Sequence, residues 1–387
     1  MTYITVRQSP MYHQMTLEEF LFQDEARDVL LNDNTTNTRT YEVPFLTEYM
    51  VRKFRFDIPH LVEKLREFND ATASLRSAPR HSLYEEFYIP KRSGGLRRID
   101  APCPELMDAL RRLKTIFEED FRALYHTAAF AYVKKRSTID AVKRHQANES
   151  RWYAKYDLHN FFGSTTLDFM IRQFSMVYPF SEVVKSKYGL SQLMTALELA
   201  TLDGGLPQGT PISPLITNIM MIPIDYKLSN KLRNFEKQRF VYTRYADDFL
   251  VSSRYDFSYR EIEKLITDTL KEFGAPFELN SQKTRYGSSA GRNYALGVCL
   301  CNDEDDKIRI TVGHKKKRQF KAMLTSYVLD RRNGTAWDKH DIQIMEGLRS
   351  YYRMVEKDTI DEIVSKIGTK FGVDIPALIK EDLRAEP

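Results

Sequence analysis

Apolar positions recur at helical spacing over residues 17–31 and 57–68, and a polar loop, Asn32 to Thr38, separates the two stretches. Alternation takes over at 87–102, where two β-rich runs flank Ser93-Gly94-Gly95 and predict a hairpin. A long amphipathic helix is expected over 104–124. A short strand then runs from Phe130 into a basic turn at Arg136. Ser137-Thr138-Ile139-Asp140 has the form of a capping box and opens a helix through His145. Residues 152–158 read as a strand, and 166–178 and 181–202 as helices. The loop at 206–214 is stiffened by three prolines, with Ser213 as cap and Pro214 in the first turn of a helix. Leu215 to Met221 is nearly all apolar, so that helix is deeply buried.

Two further strands flank Tyr245-Ala246-Asp247-Asp248, which becomes the tip of a hairpin. A capped helix follows from Ser258 through Phe273. Next come a strand and turn over 277–284 and a hairpin from 295–300 and 307–312, whose turn, Asn302 to Asp306, is acidic. Helices run from 313 onward. There is no internal repeat.

Chemistry concentrates at a few of these places. Adjacent carboxylates at Asp247 and Asp248 repel one another and favour no packed core. Tyr245, Phe249 and Leu250 nevertheless hold them against apolar material, so a hard cation such as Mg²⁺ suits the tip better than a solvated acidic turn. Lys91, Arg97 and Arg98 gather on the glycine hairpin, either as a phosphate clamp or as an exposed basic surface. Asp157 ends its strand as a metal ligand or as a cap for the next element. Gln208 and Gly209 sit where a rigid loop can present them to a ligand, or where a plain β-α connection needs a turn. His145 is a lone histidine, structural or touching a nucleic-acid backbone. His314 to Arg318 with Lys321 makes a concentrated positive patch at the start of the last helices.

Composition adds bounds rather than identity. An apolar content of 42% and a charged content of 29% describe an ordinary soluble globular chain, and a net charge of +5 permits a polyanionic partner. The three cysteines, Cys103, Cys299 and Cys301, make no zinc set and are expected to be reduced. No apolar run is long enough to span a bilayer and no signal pattern opens the chain, so a cytoplasmic protein without membrane contact is expected. At 387 residues two or three subdomains are expected.

A cationic glycine hairpin, an Asp ending a strand, a Pro-Gln-Gly loop, an Asp-Asp hairpin and a late Lys stand in the order in which the reverse transcriptases carry them. The resemblance runs from about Tyr84 to Val312. Ile89-Pro90-Lys91 resembles the fingers strands, Tyr156-Asp157-Leu158-His159-Asn160-Phe161-Phe162 the first palm motif, and 206–214 the template-and-nucleotide loop. Tyr245-Ala246-Asp247-Asp248 resembles the family's catalytic box in its bacterial form. The segments 279–284 and Leu296-Gly297-Val298 resemble the two motifs after it.

The resemblance implies an α+β, right-hand polymerase fold with an antiparallel-sheet palm. It divides the chain into an N-terminal helical extension at 1–80, fingers at 81–150, palm at 151–312 with a helical insertion at about 165–203, and a helical thumb at 313–387. It implies an RNA-directed DNA polymerase with two Mg²⁺ per active site, about 4 Å apart, and Mn²⁺ as a substitute. Asp157, Asp247 and the Leu158 carbonyl would hold the metals, with Asp248 in support on the other side of its strand. Lys91 and Arg97 would hold the dNTP triphosphate, Gln208 and Gly209 would lie near the incoming nucleotide, and Lys283 would act as general acid toward the pyrophosphate. Phe162 would lie under the sugar and collide with a 2′-hydroxyl. Arg136, Lys315, Lys316, Lys317 and Arg318 would meet nucleic acid.

The partners implied are a primer and an RNA template, expected to be a structured non-coding RNA; an oligomer or accessory protein stays open. The compact layout resembles bacterial non-retroviral enzymes of retron, group II intron-like or phage-defence type, and among these a stand-alone phage-defence enzyme is favoured, with a retron enzyme second. Ala141-Val142-Lys143-Arg144-His145 keeps only the histidine of the retron Asn-Ala-x-x-His, and Ala295-Leu296-Gly297 stands in place of Val-Thr-Gly. The rivals are an RNA-dependent RNA polymerase, against which the bulk of Phe162 argues, and a non-catalytic RNA-binding scaffold, which would not need the aspartates.

Overall fold

The computed structural model describes residues 56–91, 94–236, 238–290, 293–302 and 307–384. The helix expected over 17–31 with its following loop, Arg92 and Ser93 of the glycine turn, and 303–306 of the acidic turn lie outside the described residues.

Asp57 caps the first helix, α1 (Ile58–Ala71), by accepting from the His60 N–H at 3.1 Å. Strands β1 (Tyr84–Pro90) and β2 (Leu96–Pro102) pair antiparallel, with Tyr84 opposite Pro102 and Pro90 opposite Leu96. Gly94 and Gly95 close their turn at φ 87° and 79°, a backbone region that other residues enter at a cost. The helix expected over 104–124 is shorter: α2 (Pro104–Thr115) widens into a π-helical stretch, Ile116–Phe121, which turns Phe117 and Phe121 onto Phe180 at 5.2 and 4.4 Å. No strand forms from Phe130. Tyr132 and Lys135 take φ of 59° and 63°, which no strand admits, and only Ala129 makes a bridge, parallel to Arg244.

The capping box at Ser137 forms as expected. Ser137 Oγ accepts from the Asp140 N–H at 3.2 Å and the Asp140 carboxylate from the Ser137 N–H at 2.9 Å, opening α3 (Thr138–Ala147). Strand β3 (Trp152–Asp157) comes next. Pro179 divides the helical stretch after it, leaving α4 (Leu167–Phe174), a single turn at Phe180–Val183, and α5 (Lys187–Leu199). Helix α6 (Ser213–Arg233) is buried along Leu215 to Met221, as its composition requires. Ser213 is not its cap, however: it lies inside the helix, and its hydroxyl donates to the Pro207 carbonyl at 2.9 Å, closing the loop before it.

Strands β4 (Phe240–Tyr245) and β5 (Asp248–Ser253) form the acidic hairpin, and Ser258 caps α7 (Tyr259–Glu272). Over 277–284 no strand forms; Leu279 alone bridges Leu158 before β6 (Arg285–Ser288) begins. Then come β7 (Asn293–Ala295), β8 (Val298–Asn302), β9 (Ile308–Thr311) and three helices, α8 (His314–Arg332), α9 (Lys339–Phe371) and α10 (Ile375–Arg384). The sheets are β1-β2, β4-β5-β3-β6 and β7-β8-β9.

The described chain separates into two compact units. The first runs to Arg136 and adds Lys155–Val251 and Ser258–Arg285. Its core combines α6, buried from Leu215 to Asp225, with the aromatic cluster of Phe117, Phe121, Phe174 and Phe180. The second unit comprises Ser137–Ala154, Ser252–Phe257 and the chain from Tyr286. There α8, α9 and α10 share a core built on Phe320, Leu324, Met345 and Ile360. Helix α9 is interrupted at Glu356, whose φ of −140° and ψ of 67° are not helical. Inside the same unit His145 is fully buried with Nδ1 2.6 Å from the Ser252 hydroxyl, and burial pushes it down to about 3, so it is a neutral structural histidine. No helix among the described residues is long and apolar enough to cross a membrane.

Candidate active site

The first unit holds a cleft of about 1070 Å³. Its wall includes Lys91 and Arg97 from the glycine hairpin, Asp157 and Leu158 at the end of β3, Phe162, Gln208, Asp247 and Lys283. Residues scattered over nearly two hundred positions of sequence thus reach one cavity.

Local backbone bonds hold this end of the sheet together. The Leu158 N–H donates to the Asp247 carbonyl at 3.0 Å, and the Asn280 N–H donates to the Asp157 carbonyl at 2.7 Å. These two bonds lace the ends of three segments. Asp247 is not on a strand but in the two-residue turn between β4 and β5, after Ala246 at φ 57°. An alanine held in this region is strained, so something must fix it. Arg244 does. Its guanidinium donates to the Ala246 carbonyl at 3.2 Å, to both oxygens of Asp225 at 2.8–3.1 Å and to Asn218 Oδ1 at 3.2 Å. Tyr242 adds a bond to Asp225 at 2.7 Å. Arg244 and Asp225 are almost completely buried, so neither charge is tolerable without the other. Sequence reasoning missed this support. Its signal was a single Asp inside the apolar helix α6 and an Arg one residue before the motif.

The three acids differ in their partners. Lys283 Nζ lies 3.1 and 2.8 Å from the two oxygens of Asp157, and this bond raises the lysine pKa. Lys155 Nζ lies 3.0 Å from Asp248, which accords with that side chain facing away from its neighbour. Asp247 makes no ion pair with any described residue. Burial first, and then the charge of Asp248, push its carboxyl up to about 6. The Leu158 carbonyl also takes no hydrogen bond from a described residue. A half-buried carboxylate without an ion pair, beside a second carboxylate and an open carbonyl, is a donor set that fits a hard divalent cation. Among the described residues no three acid, histidine or cysteine side chains close into a ready-made cage. Mg²⁺ commonly completes its shell with substrate phosphate and water, so two carboxylates suffice.

The remaining candidates divide. Lys91 and Arg97 are exposed on the cleft wall and enter no ion pair with a described residue. Arg98 is consumed by Asp100 at 2.6 Å, Glu86 at 3.0 Å and Asp203 at 3.2 Å. Phe161 is 2% exposed and packs on Phe277 at 5.0 Å, which leaves Phe162 as the less buried ring on the wall. Gln208 lines the cleft, but Gly209 does not; it packs against β2, where an added Cβ would meet Ile99 at 2.9 Å. Arg136 spends one guanidinium nitrogen on the carbonyls of His126 and Ala129, at 2.7 and 2.6 Å. In the second unit Lys317 pairs with Glu356 at 3.0 Å and Lys316 reaches the Gly297 carbonyl, while Lys315 and Arg318 stay exposed.

An acidic turn, a strand-end Asp and two exposed cations thus line one cleft, an arrangement compatible with nucleotidyl transfer. A family model described as reverse transcriptase (RNA-dependent DNA polymerase) matches residues 89–322, more than half of the chain, and the chain belongs to that family. Retron Ec73 reverse transcriptase of Escherichia coli is 31% identical over 224 residues, 56% of this chain and 68% of that protein. Retron Ec83 reverse transcriptase of Escherichia coli is 28% identical over 311 residues, 78% and 92% of the two chains. Retron Mx65 reverse transcriptase of Myxococcus xanthus is 24% identical over 301 residues, 75% and 65%.

The fold is therefore the right-hand polymerase fold, and the activity is RNA-directed DNA synthesis dependent on a divalent metal. Neither an RNA polymerase nor a non-catalytic scaffold is needed to account for the chain.

Proposed function

We propose that this reverse transcriptase extends a primer with dNTPs, using two Mg²⁺ for which Mn²⁺ can substitute, and that its template is a structured RNA of its own. The observation that carries the site assignment is Asp247, a half-buried carboxylate raised to about 6 with no ion-pair partner among the described residues, lining the same cleft as Asp157. Asp157, Asp247 and the Leu158 carbonyl would hold the metals. When bound, these supply Lewis-acid activation of the primer 3′-oxygen and neutralise the leaving pyrophosphate.

The chain's own residues do the rest. Lys91 and Arg97 grip the triphosphate across the cleft, since phosphoryl transfer is mostly positioning and charge neutralisation. Gln208 packs near the incoming nucleotide. As the 3′-oxygen bonds to the α-phosphorus, the bond to pyrophosphate breaks, and Lys283 Nζ delivers a proton to the departing oxygen. Lys283 must first leave Asp157, which it neutralises when no metal is bound. Asp248, held by Lys155, steadies the strand start. Phe162 excludes ribonucleotides by its bulk. Phe162→Ala should admit rNTPs on a primed RNA, with little loss on dNTPs; unchanged sugar preference puts the gate elsewhere.

Two branch readings remain. Similarity over 92% of a retron relative supports a retron-type enzyme that copies one cognate RNA. The stand-alone defence reading is supported by the departures at 141–145, where the one matching residue, His145, is buried in a structural hydrogen bond. Sequencing the nucleic acid that copurifies with the protein separates them. One RNA-linked DNA species means a retron enzyme, and a heterogeneous pool means the stand-alone one.

A further inference from the structure

The ring of Phe162 discriminates only if it does not yield. A steric gate that gives way costs the wrong sugar nothing, and each tenfold of discrimination requires about 1.36 kcal/mol of unrelieved collision. The backbone that carries the ring is fixed from an unexpected direction. The Phe162 carbonyl accepts from the Leu206 N–H at 2.9 Å and from the Thr165 N–H at 3.1 Å. Leu206 belongs to a tight loop in which Leu202 and Gly205 bond each other in both directions, at 2.9 and 3.0 Å. Its two tip residues, Asp203 and Gly204, take φ of 53° and 78°. This loop meets the residue after the gate with no space between. A Cβ placed on Gly205 would lie 2.1 Å from the Gly163 carbonyl oxygen and 2.9 Å from its Cα. The obstacle is backbone, which cannot swing aside. Phe162, Gly163, Leu202, Asp203 and Leu206 all line the cleft.

We propose that the 202–206 loop is the backstop of the sugar gate, and that Gly205 is a specificity-determining position. Its bare backbone lets the loop press against Gly163 and bond to the Phe162 carbonyl, which holds the ring against a ribose. The proposal rests on the reading of Phe162 as the gate. Asp203 also pairs with Arg98 at 3.2 Å and His81 at 3.0 Å, but these groups are largely exposed and such pairs contribute little. The backbone contact, not the charge, sets the gate.

The test is single-nucleotide incorporation by the full chain on a primed RNA, comparing kcat/KM for a dNTP and its matching rNTP. Gly205→Ala is expected to lower the preference for dNTP at least tenfold, mainly through a lower KM for the rNTP. Gly204→Ala has open space around its Cβ and strains only the turn, so it should lower the preference a few-fold. It carries the test if Gly205→Ala does not fold. Asp203→Asn keeps a residue that tolerates this backbone region, and should leave the preference unchanged.

In a Phe162→Ala background Gly205→Ala should add nothing, because the loop acts through the ring. If Phe162→Ala alone fails to admit rNTPs, the gate reading falls. If it admits them while Gly205→Ala and Gly204→Ala keep full discrimination, the backstop falls and the gate stands. A loss reproduced by Asp203→Asn would overturn the backbone account in favour of the ion pairs.

Discussion

Two half-buried carboxylates in this protein have opposite fates. Glu356, at the break in α9, accepts from the Thr311 hydroxyl at 2.7 Å, the Val312 N–H at 2.8 Å and Lys317 Nζ at 3.0 Å. Burial alone would raise its pKa, yet these donors outweigh it and hold it below the usual glutamate value. Asp247 is also half-buried, but the backbone bond it receives is its own and no cation pairs with it among the described residues, so desolvation and the charge of Asp248 prevail and it is pushed up to about 6. A saturated acid is a structural pin: it ties the end of β9, the start of α8 and the kink of α9 to one point. A starved acid carries an unsatisfied demand for positive charge, and in this family a divalent metal meets that demand.

The sharpest way to break the comparison is to neutralise each acid in turn. Asp247→Asn should cost on the order of a thousand-fold or more in dNTP incorporation, because a metal ligand is lost. It should not destabilise the metal-free protein, since the charge it removes was expensive to bury. Mg²⁺ should raise the thermal midpoint of the wild type and not of this variant. An active Asp247→Asn enzyme would sink the assignment of the site. Glu356→Ala should do the reverse. It strands Lys317 and the Val312 N–H, at a cost of about 3–5 kcal/mol in urea unfolding, with incorporation by the folded fraction largely kept. A neutral effect on stability would mean that Glu356 is no pin.

The acids themselves were legible in sequence, and their supports were not. Asp157, Asp247 and the Pro-Gln-Gly loop announce themselves because metal chemistry and tight turns accept few residue types. Arg244 and Asp225 are 19 positions apart and pair only once α6 and β4 are packed, so no local pattern reveals them. The same holds for Gly205, whose need to be glycine comes from Gly163, some forty residues earlier. Where strands were expected at Phe130 and Phe277, composition suggested β-structure but tertiary contacts decided otherwise. Residues 129–136 are clamped by Arg136 and Arg244, and 277–284 by single backbone bonds to Asp157 and His159. The basic run at 315–318 read as one surface, yet Lys317 faces Glu356.

Acidity sharpens the same contrast. The folded chain binds a proton at Asp247 with a pKa of about 6, whereas the unfolded chain releases it near 3.8. Stability contributed there is present at low pH and is lost as the pH rises from about 4 to about 6. The loss is about 3 kcal/mol at most, at about 1.36 kcal/mol per unit. Glu356, held low, runs the other way and loses its contribution as the pH falls below 4.5. Unfolding of the metal-free protein across pH 4–7 should therefore show a downward slope that Asp247→Asn flattens and saturating Mg²⁺ removes. A slope that survives the substitution belongs to another group.

The smallest effect separates the lysines on α8. Each phosphate contact made by an exposed cation contributes somewhat under one unit to the dependence of log affinity on log salt. Lys315 and Arg318 are exposed and Lys317 is nearly enclosed, with 13% of its side chain accessible. Replacing Lys315 and Arg318 by Ala together should reduce the salt slope for binding to a primed RNA by about one to two, without changing the unfolding midpoint. Lys317→Ala should leave the slope alone and lower stability, since it leaves Glu356 with only the longer Arg309 pair at 3.7 Å. If Lys317→Ala flattened the salt dependence and the double variant did not, the buried pair would be part of the nucleic-acid surface, and the division between a saturated pin and a starved site would fail on its structural side.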